Sequence, residues 1–200
     1  MDITSSMVKE LRTKTGAGMM DCKEALTASE GDFEGAIDYL RKKGMSAATK
    51  RSSKAAKDGT IASYIHMGGK IGVMVELNCE TDFVAKTDAF QSMARDLAMH
   101  VAASNPRFVR PEDIPEDVLA REKEIYRSQA LAEKKPEKIW DKIIEGKLKK
   151  FYEEVCLLQQ KFIRDTDITV ETLVNNMIAK TGENIIVRRF ARFQLGEEQK

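Results

Sequence analysis

The sequence predicts an α+β protein: a small three-helix N-terminal domain over residues 1–44, a basic linker over 45–58, and an α+β core over 59–200 whose small antiparallel sheet is packed by helices. Three observations predict it. Glycine-punctuated amphipathic segments fill the first 44 residues. The hydrophobic period switches from 3.6 to 2 near Thr60, and a last alternating segment follows a series of helical patterns.

Met7, Val8 and Leu11 at helical spacing make the first helix, with Thr4, Ser5 and Ser6 available as N-caps. Thr15-Gly16-Ala17-Gly18 ends it, since glycine suits the left-handed position past a helix terminus. A second helix is predicted from about Met19 to Ala28, ending at Gly31. Asp32 caps a third, with Phe33, Ala36, Ile37 and Leu40 facing inward and Gly44 as its stop. Phe33 and Leu40 are expected to supply much of this small core. Between positions 41 and 57, Arg41, Lys42, Lys43, Lys50, Arg51, Lys54 and Lys57 alternate with small residues, and no acid intervenes before Asp58. Such a stretch reads as a solvated linker or frayed helix extension. A nucleic-acid patch and a protein-contact surface are the alternatives, the former weakened by the lack of any aromatic residue for base stacking.

Thr60–Met67, a Gly68-Gly69 turn and Ile71–Cys79 form a hairpin, with Ile71, Val73, Val75, Leu77 and Cys79 on one face. Residues 80–86 are a polar-aromatic break. Thr87 or Asp88 then caps a helix carrying Phe90, Met93, Ala94, Leu97, Ala98 and Val101, which Asn105-Pro106 ends. Pro115 opens a charged helix over 116–133 with Val118, Leu119, Ile125 and Tyr126 as its apolar contacts. Pro136 stops that helix and starts another predicted to run from Glu137 to about Phe162, with Gly146 as a weak point. Asp165-Thr166-Asp167 reads as a turn, Thr169 caps a last helix closed by Gly182, and Asn184–Leu195 reads as a third strand. In that strand Ile185, Val187, Arg189, Ala191, Phe193 and Leu195 are expected to share one face. A three-stranded sheet has vulnerable edges, so a second copy or another partner is expected to complete it.

Composition excludes several classes. The 33 Lys and Arg are balanced by 32 Asp and Glu, which argues against a chain that works by binding nucleic acid. The apolar runs are too short to span a bilayer, and residues 1–25 lack a secretory pattern, so a cytoplasmic protein without membrane association is expected. Cys22, Cys79 and Cys156 are isolated, which indicates neither a disulfide framework nor a zinc site. His66 and His100 are the only imidazoles and read as structural or surface residues. Cys79 beside His66 could be imagined as a nucleophile, but a small core thiol is the better reading. Gly16-Ala17-Gly18 lacks the third glycine of a dinucleotide fingerprint and follows a helix, so it is no phosphate loop. No catalytic constellation, cofactor or metal site of the chain's own is expected.

Two apolar features stand out instead. Met19 and Met20 open the second helix directly after the glycine turn, and adjacent side chains cannot both face one small core. They are either part of a loosely packed mini-core or an adaptable binding surface. Phe83 sits among Thr81, Asp82, Val84 and Lys86 in a short connection, either as a core anchor beneath the next helix or as an exposed wedge for a partner.

The segments Leu11–Lys23 (LRTKTGAGMMDCK), Leu77–Ala85 (LNCETDFVA) and Gly182–Phe190 (GENIIVRRF) resemble the translation elongation factor Ts family, in its short bacterial form with one core copy and no long inserted coiled coil. The resemblance implies a ubiquitin-associated-like N-terminal domain and guanine-nucleotide exchange on elongation factor Tu in its GDP-bound form, without covalent catalysis. It places Arg12, Met19 and Met20 against the GTPase domain of Tu. It also assigns Thr81, Asp82, Phe83 and Val84 to displacing the magnesium ion of Tu, with Phe83 as the wedge. Some short members cross-link a homodimer through a final-strand cysteine. Ala191 leaves no such bond here, so a noncovalent homodimer is implied. A ubiquitin-associated-like adaptor without exchange activity is the competing reading.

Overall fold

The computed structural model of the chain describes residues 2–197. Helices α1 (Ser5–Thr15), α2 (Met19–Ala28) and α3 (Phe33–Arg51) form the N-terminal bundle. Thr4 and Asp32 cap α1 and α3 through side-chain oxygens, as their chemistry dictates. Gly16 ends α1 at φ 69°, a left-handed position that a Cβ would strain. The bundle's centre is Leu11, Cys22, Ala25, Leu26 and Ala36, all fully buried, while Phe33 and Leu40 pack at its margin. Those two were expected to supply much of the core; they contribute at its edge, and Leu11 and Leu26 are its largest fully buried side chains. Lys43 bridges Asp21 (2.8 Å) and Glu24 (2.6 Å), tying α2 to α3, and these two carboxylates raise its pKa.

The predicted stop at Gly44 does not occur. Helix α3 runs on to Arg51, so the expected linker over 45–58 is helical for its first half. Gly44 is buried against α8 (Val170–Thr181), and Ala48 packs on the core beneath the sheet. Contact with α8 extends the helix where the surrounding cations suggested solvation, and Lys50 and Arg51 complement the negative end of its dipole.

Strands β1 (Asp58–Ile65) and β2 (Ile71–Cys79) pair antiparallel, and β2 also pairs antiparallel with β5 (Ile186–Gln194), giving the order β1-β2-β5. Val73, Val75, Leu77 and Cys79 of β2 are buried, as their alternation predicts. Gly59 is required at its position: at φ 145°, a Cβ there would lie 2.1 Å from the Leu77 carbonyl oxygen. Helix α5 (Asp88–Ser104), capped by Thr87, covers the inner face with Phe90, Met93, Ala94, Leu97, Ala98 and Val101. Val170, Val174 and Ile178 of α8 join this cluster, with Leu157, Phe162, Ile185 and Val187.

The single alternating face expected for the last strand is corrected by a bulge. Glu76 pairs with Arg189 but Leu77 with Val187, leaving Arg188 as an extra residue. One inserted residue exchanges the faces. Val187 therefore points inward, but beyond the bulge Phe190 and Arg192 are the more buried positions, while Ala191 and Phe193 are exposed.

Three further expectations need correction. The break over 80–86 contains a helical turn, α4 (Asp82–Ala85). The long helix predicted from Glu137 to Phe162 is only α7 (Trp140–Val155), preceded by a 3-10 turn. It passes Gly146 without interruption and ends at Cys156. A ribbon follows, β3 (Lys161–Phe162) and β4 (Asp165–Thr169), in place of the expected turn at Asp165. Helix α6 (Glu116–Ala132) packs on α7, and Phe151 and Val155 join Ile114 and Cys156 in a small cluster at the base of this pair.

His100 ties α5 to this ribbon. It is fully buried; its Nδ1 accepts from the Ile163 amide (3.3 Å), which leaves Nε2 to donate to Gln160 Oε1 (3.0 Å). Burial lowers its pKa despite the Gln160 bond. A depressed histidine pKa stabilises the fold above the unfolded value, near 6.5, and this contribution is lost as pH falls through the interval below it. Urea midpoints are thus expected to decline as pH falls below about 6.5, ahead of the carboxylate range, and a His100→Gln variant should flatten that decline. Equal slopes in the two proteins would contradict this assignment.

Candidate partner-binding site

At the end of β2 the chain turns sharply into α4. Thr81 caps this single turn, its Oγ1 accepting from the Val84 amide. The turn divides its four side chains between two environments. Ala85 is buried and Val84 packs against the sheet core, whereas Phe83 is 85% exposed. Of the two readings open for Phe83, the core anchor is therefore excluded by geometry. Asp82 is exposed and paired with Lys86 one turn on, which lowers the Asp82 pKa and raises that of Lys86. Beneath the turn, the Cys79 thiol donates to the Thr81 carbonyl (3.1 Å), and burial pushes its pKa up to about 11. The thiol is protonated at neutral pH and acts as a structural donor.

The second group of sequence-predicted residues lies on the bundle. Arg12 is exposed in the last turn of α1, and Met19 and Met20 start α2 at 56% and 75% exposure. Neither methionine belongs to the bundle's buried cluster, so the mini-core reading does not hold. Gly18 stands as N-cap of α2 without a side-chain oxygen, which leaves the turn open to solvent at this corner. Arg12 thus lies exposed before the α1–α2 turn and Met19 and Met20 exposed after it, while Thr81–Val84 lie at α4, where Val84 packs on the sheet core.

Sequence reasoning missed the outer face of the sheet as a surface. Ile61 and Ile65 of β1, Met74 of β2 and Phe193 of β5 are all exposed. Their register places Ile65, Gly72 and Phe193 in one row, and Ser63, Met74 and Ala191 in the next. Alternation along β1 and β2 already sets Ile61, Ile65 and Met74 opposite the buried row, whereas Phe193 joins them only through the bulge at Arg188, which has no residue-type signature. The exposed His66 ring contacts the Tyr64 hydroxyl through Nδ1 (3.1 Å). Among the described residues no group of three or more His, Cys, Asp or Glu side chains could hold a metal ion, and no helix is long and apolar enough to cross a membrane.

Fold and site define a class: an α+β protein whose prominent outward features are uncharged side chains mounted on fixed helix starts and on one sheet face, suited to meeting another macromolecule. The family model described as elongation factor TS matches residues 3–197. An elongation factor Ts of Syntrophus aciditrophicus (strain SB) is 82% identical over 200 residues, covering both chains completely. Those of Moorella thermoacetica and Desulfosudis oleivorans are 60% and 58% identical, each over 98% of this chain and 96% and 98% of their own. The chain belongs to the elongation factor Ts family, and its role lies in translation elongation.

Proposed function

We propose that the chain is a cytoplasmic guanine-nucleotide exchange factor for elongation factor Tu: it binds the GDP-bound form, displaces the magnesium ion there and promotes GDP release, so that GTP can enter. The observation that carries this reading is Phe83, a large apolar side chain projected into solvent from a capped turn. Covering such a group with a partner removes its apolar surface from water, which favours association. The bundle of residues 1–44, with Arg12, Met19 and Met20, holds Tu. The core then delivers Thr81, Asp82, Phe83 and Val84 to the nucleotide site, with Val84 anchoring the turn and Phe83 entering the partner.

Magnesium neutralises the phosphates of a bound nucleoside diphosphate, so moving it weakens nucleotide binding with no covalent step. Nanomolar GDP corresponds to about 12 kcal/mol of binding free energy. A thousandfold faster release needs only about 4 kcal/mol, within reach of one wedge and its surrounding contacts. Coupling is reciprocal, so GDP must weaken binding of the chain to Tu by the factor by which the chain weakens GDP. Calorimetric titration of Tu with the chain, with and without saturating GDP, tests this. Equal affinities in the two titrations would favour the adaptor reading.

The outer sheet face supports a second element of the proposal, a noncovalent homodimer through the core of residues 59–200. Ile65, Met74 and Phe193 are contiguous there, and Ala191 offers no cross-link. Sedimentation at micromolar concentration is expected to give a dimer, and Phe193→Glu a folded monomer. A wild-type monomer at that concentration would contradict it.

A further inference from the structure

We propose that Glu183 is a positioning residue for exchange, its carboxylate fixing the turn that presents Phe83; this rests on the exchange reading above. A four-residue helix is not stable by itself, because nucleation fixes several residues for one hydrogen bond. The geometry of α4 must therefore be imposed from outside. Glu183, 102 residues along the chain from Thr81, does this with both carboxylate oxygens. Oε2 accepts from the Glu80 amide (3.1 Å) and the Thr81 amide (3.1 Å), and Oε1 accepts from the Thr81 hydroxyl (2.6 Å). A hydroxyl has one hydrogen and two lone pairs, so Thr81 can donate to Glu183 and still accept from the Val84 amide as the cap of α4.

The clamp is itself held in place. Gly182 ends α8 in the left-handed region at φ 71°, turning the chain so that Glu183 faces the end of β2. Glu80 returns the contact, its Oε1 accepting from the Asn184 amide (2.7 Å). Asn184 is buried and donates from Nδ2 to the Lys54 carbonyl (2.7 Å), while Arg51 lies 3.6 Å from the Glu80 carboxylate. The turn bearing Phe83 is thereby joined to the segment following α8 and to the end of α3, the helix that begins in the bundle. Three donors on one carboxylate are charge-assisted bonds, stronger and more directional than neutral ones. They act on the backbone immediately before Phe83 and leave the sheet core untouched.

Side-chain length makes the assignment testable. Glu183→Ala removes all three acceptor contacts, and Glu183→Asp is one methylene too short to reach. Glu183→Gln keeps the reach: its oxygen can accept from both amides while its NH2 donates to Thr81 Oγ1. Each full-length variant is mixed with Tu carrying fluorescent GDP, and release is followed over a range of chain concentrations. Glu183→Ala and Glu183→Asp are expected to lower the plateau rate about tenfold, with the half-saturating concentration changed less than threefold. Glu183→Gln should recover most of the plateau. Amide exchange of Glu80, Thr81 and Val84 should accelerate in the alanine variant while the β2 amides stay protected. A plateau unchanged in Glu183→Ala, or no recovery in Glu183→Gln when both are folded, would overturn the assignment. The exchange reading fails separately, if the wild-type chain does not accelerate release at all. In that event amide exchange still reports whether Glu183 orders the turn.

Discussion

Phe83→Ala is expected to slow chain-stimulated GDP release by about a hundredfold at saturating chain, while leaving the fold intact. At 85% exposure the ring has most of its surface available to a partner. Burying a phenylalanine of 150–250 Å² is worth about 4 kcal/mol at 25 cal/mol per Å², of which roughly two-thirds realised in the nucleotide-releasing state gives that factor. Stability should change by less than about 0.5 kcal/mol, as for an exposed side chain without a structural role. Stopped-flow release and a parallel thermal melt separate the two quantities. Near-wild-type release would remove the wedge from the account, and a collapsed melt would return Phe83 to a structural role.

The second large effect is expected on affinity. Changing Met19 and Met20 together to alanine should weaken binding to Tu about thirtyfold, with a smaller change in the plateau release rate. The two side chains, at 56% and 75% exposure, contribute about 1 kcal/mol each if their open surfaces are covered by the partner. They lie outside the cluster of Leu11, Cys22 and Leu26, so the bundle should melt as before; alanine is also the better helix former. Calorimetric titration measures the change. A lower melting temperature with unchanged affinity of the folded material would show that the methionines serve the bundle.

The parts of the fold legible in the sequence are those set by local chemistry. Thr4, Asp32, Thr87 and Thr169 cap helices because a short side-chain oxygen reaches the next turn, and the buried row of β2 follows from strict alternation. What could not be read depends on partners remote in sequence. Gly44 and Ala48 extend α3 because α8 lies against them. Arg188 reverses the faces of β5 because one residue is left out of the ladder, which no residue type announces. The ribbon of β3 and β4 is too short and too polar to declare itself, and part of its anchorage is the buried His100 on another helix.

The candidate site divides in the same way. Its chemistry was visible as apolar residues in unexpected places, but adjacency in sequence could not decide whether Met19, Met20 and Phe83 faced in or out. Phe83 points outward because Val84 and Ala85 take the inward positions of a single helical turn. Glu183 stood in the quoted Gly182–Phe190 segment with no role attached, since its three acceptor contacts exist only after α8 brings it beside β2.

Whether this chain loosens GDP on elongation factor Tu is read from the release of fluorescent GDP from Tu in excess unlabelled nucleotide and millimolar magnesium. The chain should raise the rate along a saturating curve to a plateau on the order of a thousandfold above the rate of Tu alone. A rate independent of chain concentration, under conditions where a complex demonstrably forms, would show that the chain binds Tu without loosening its nucleotide.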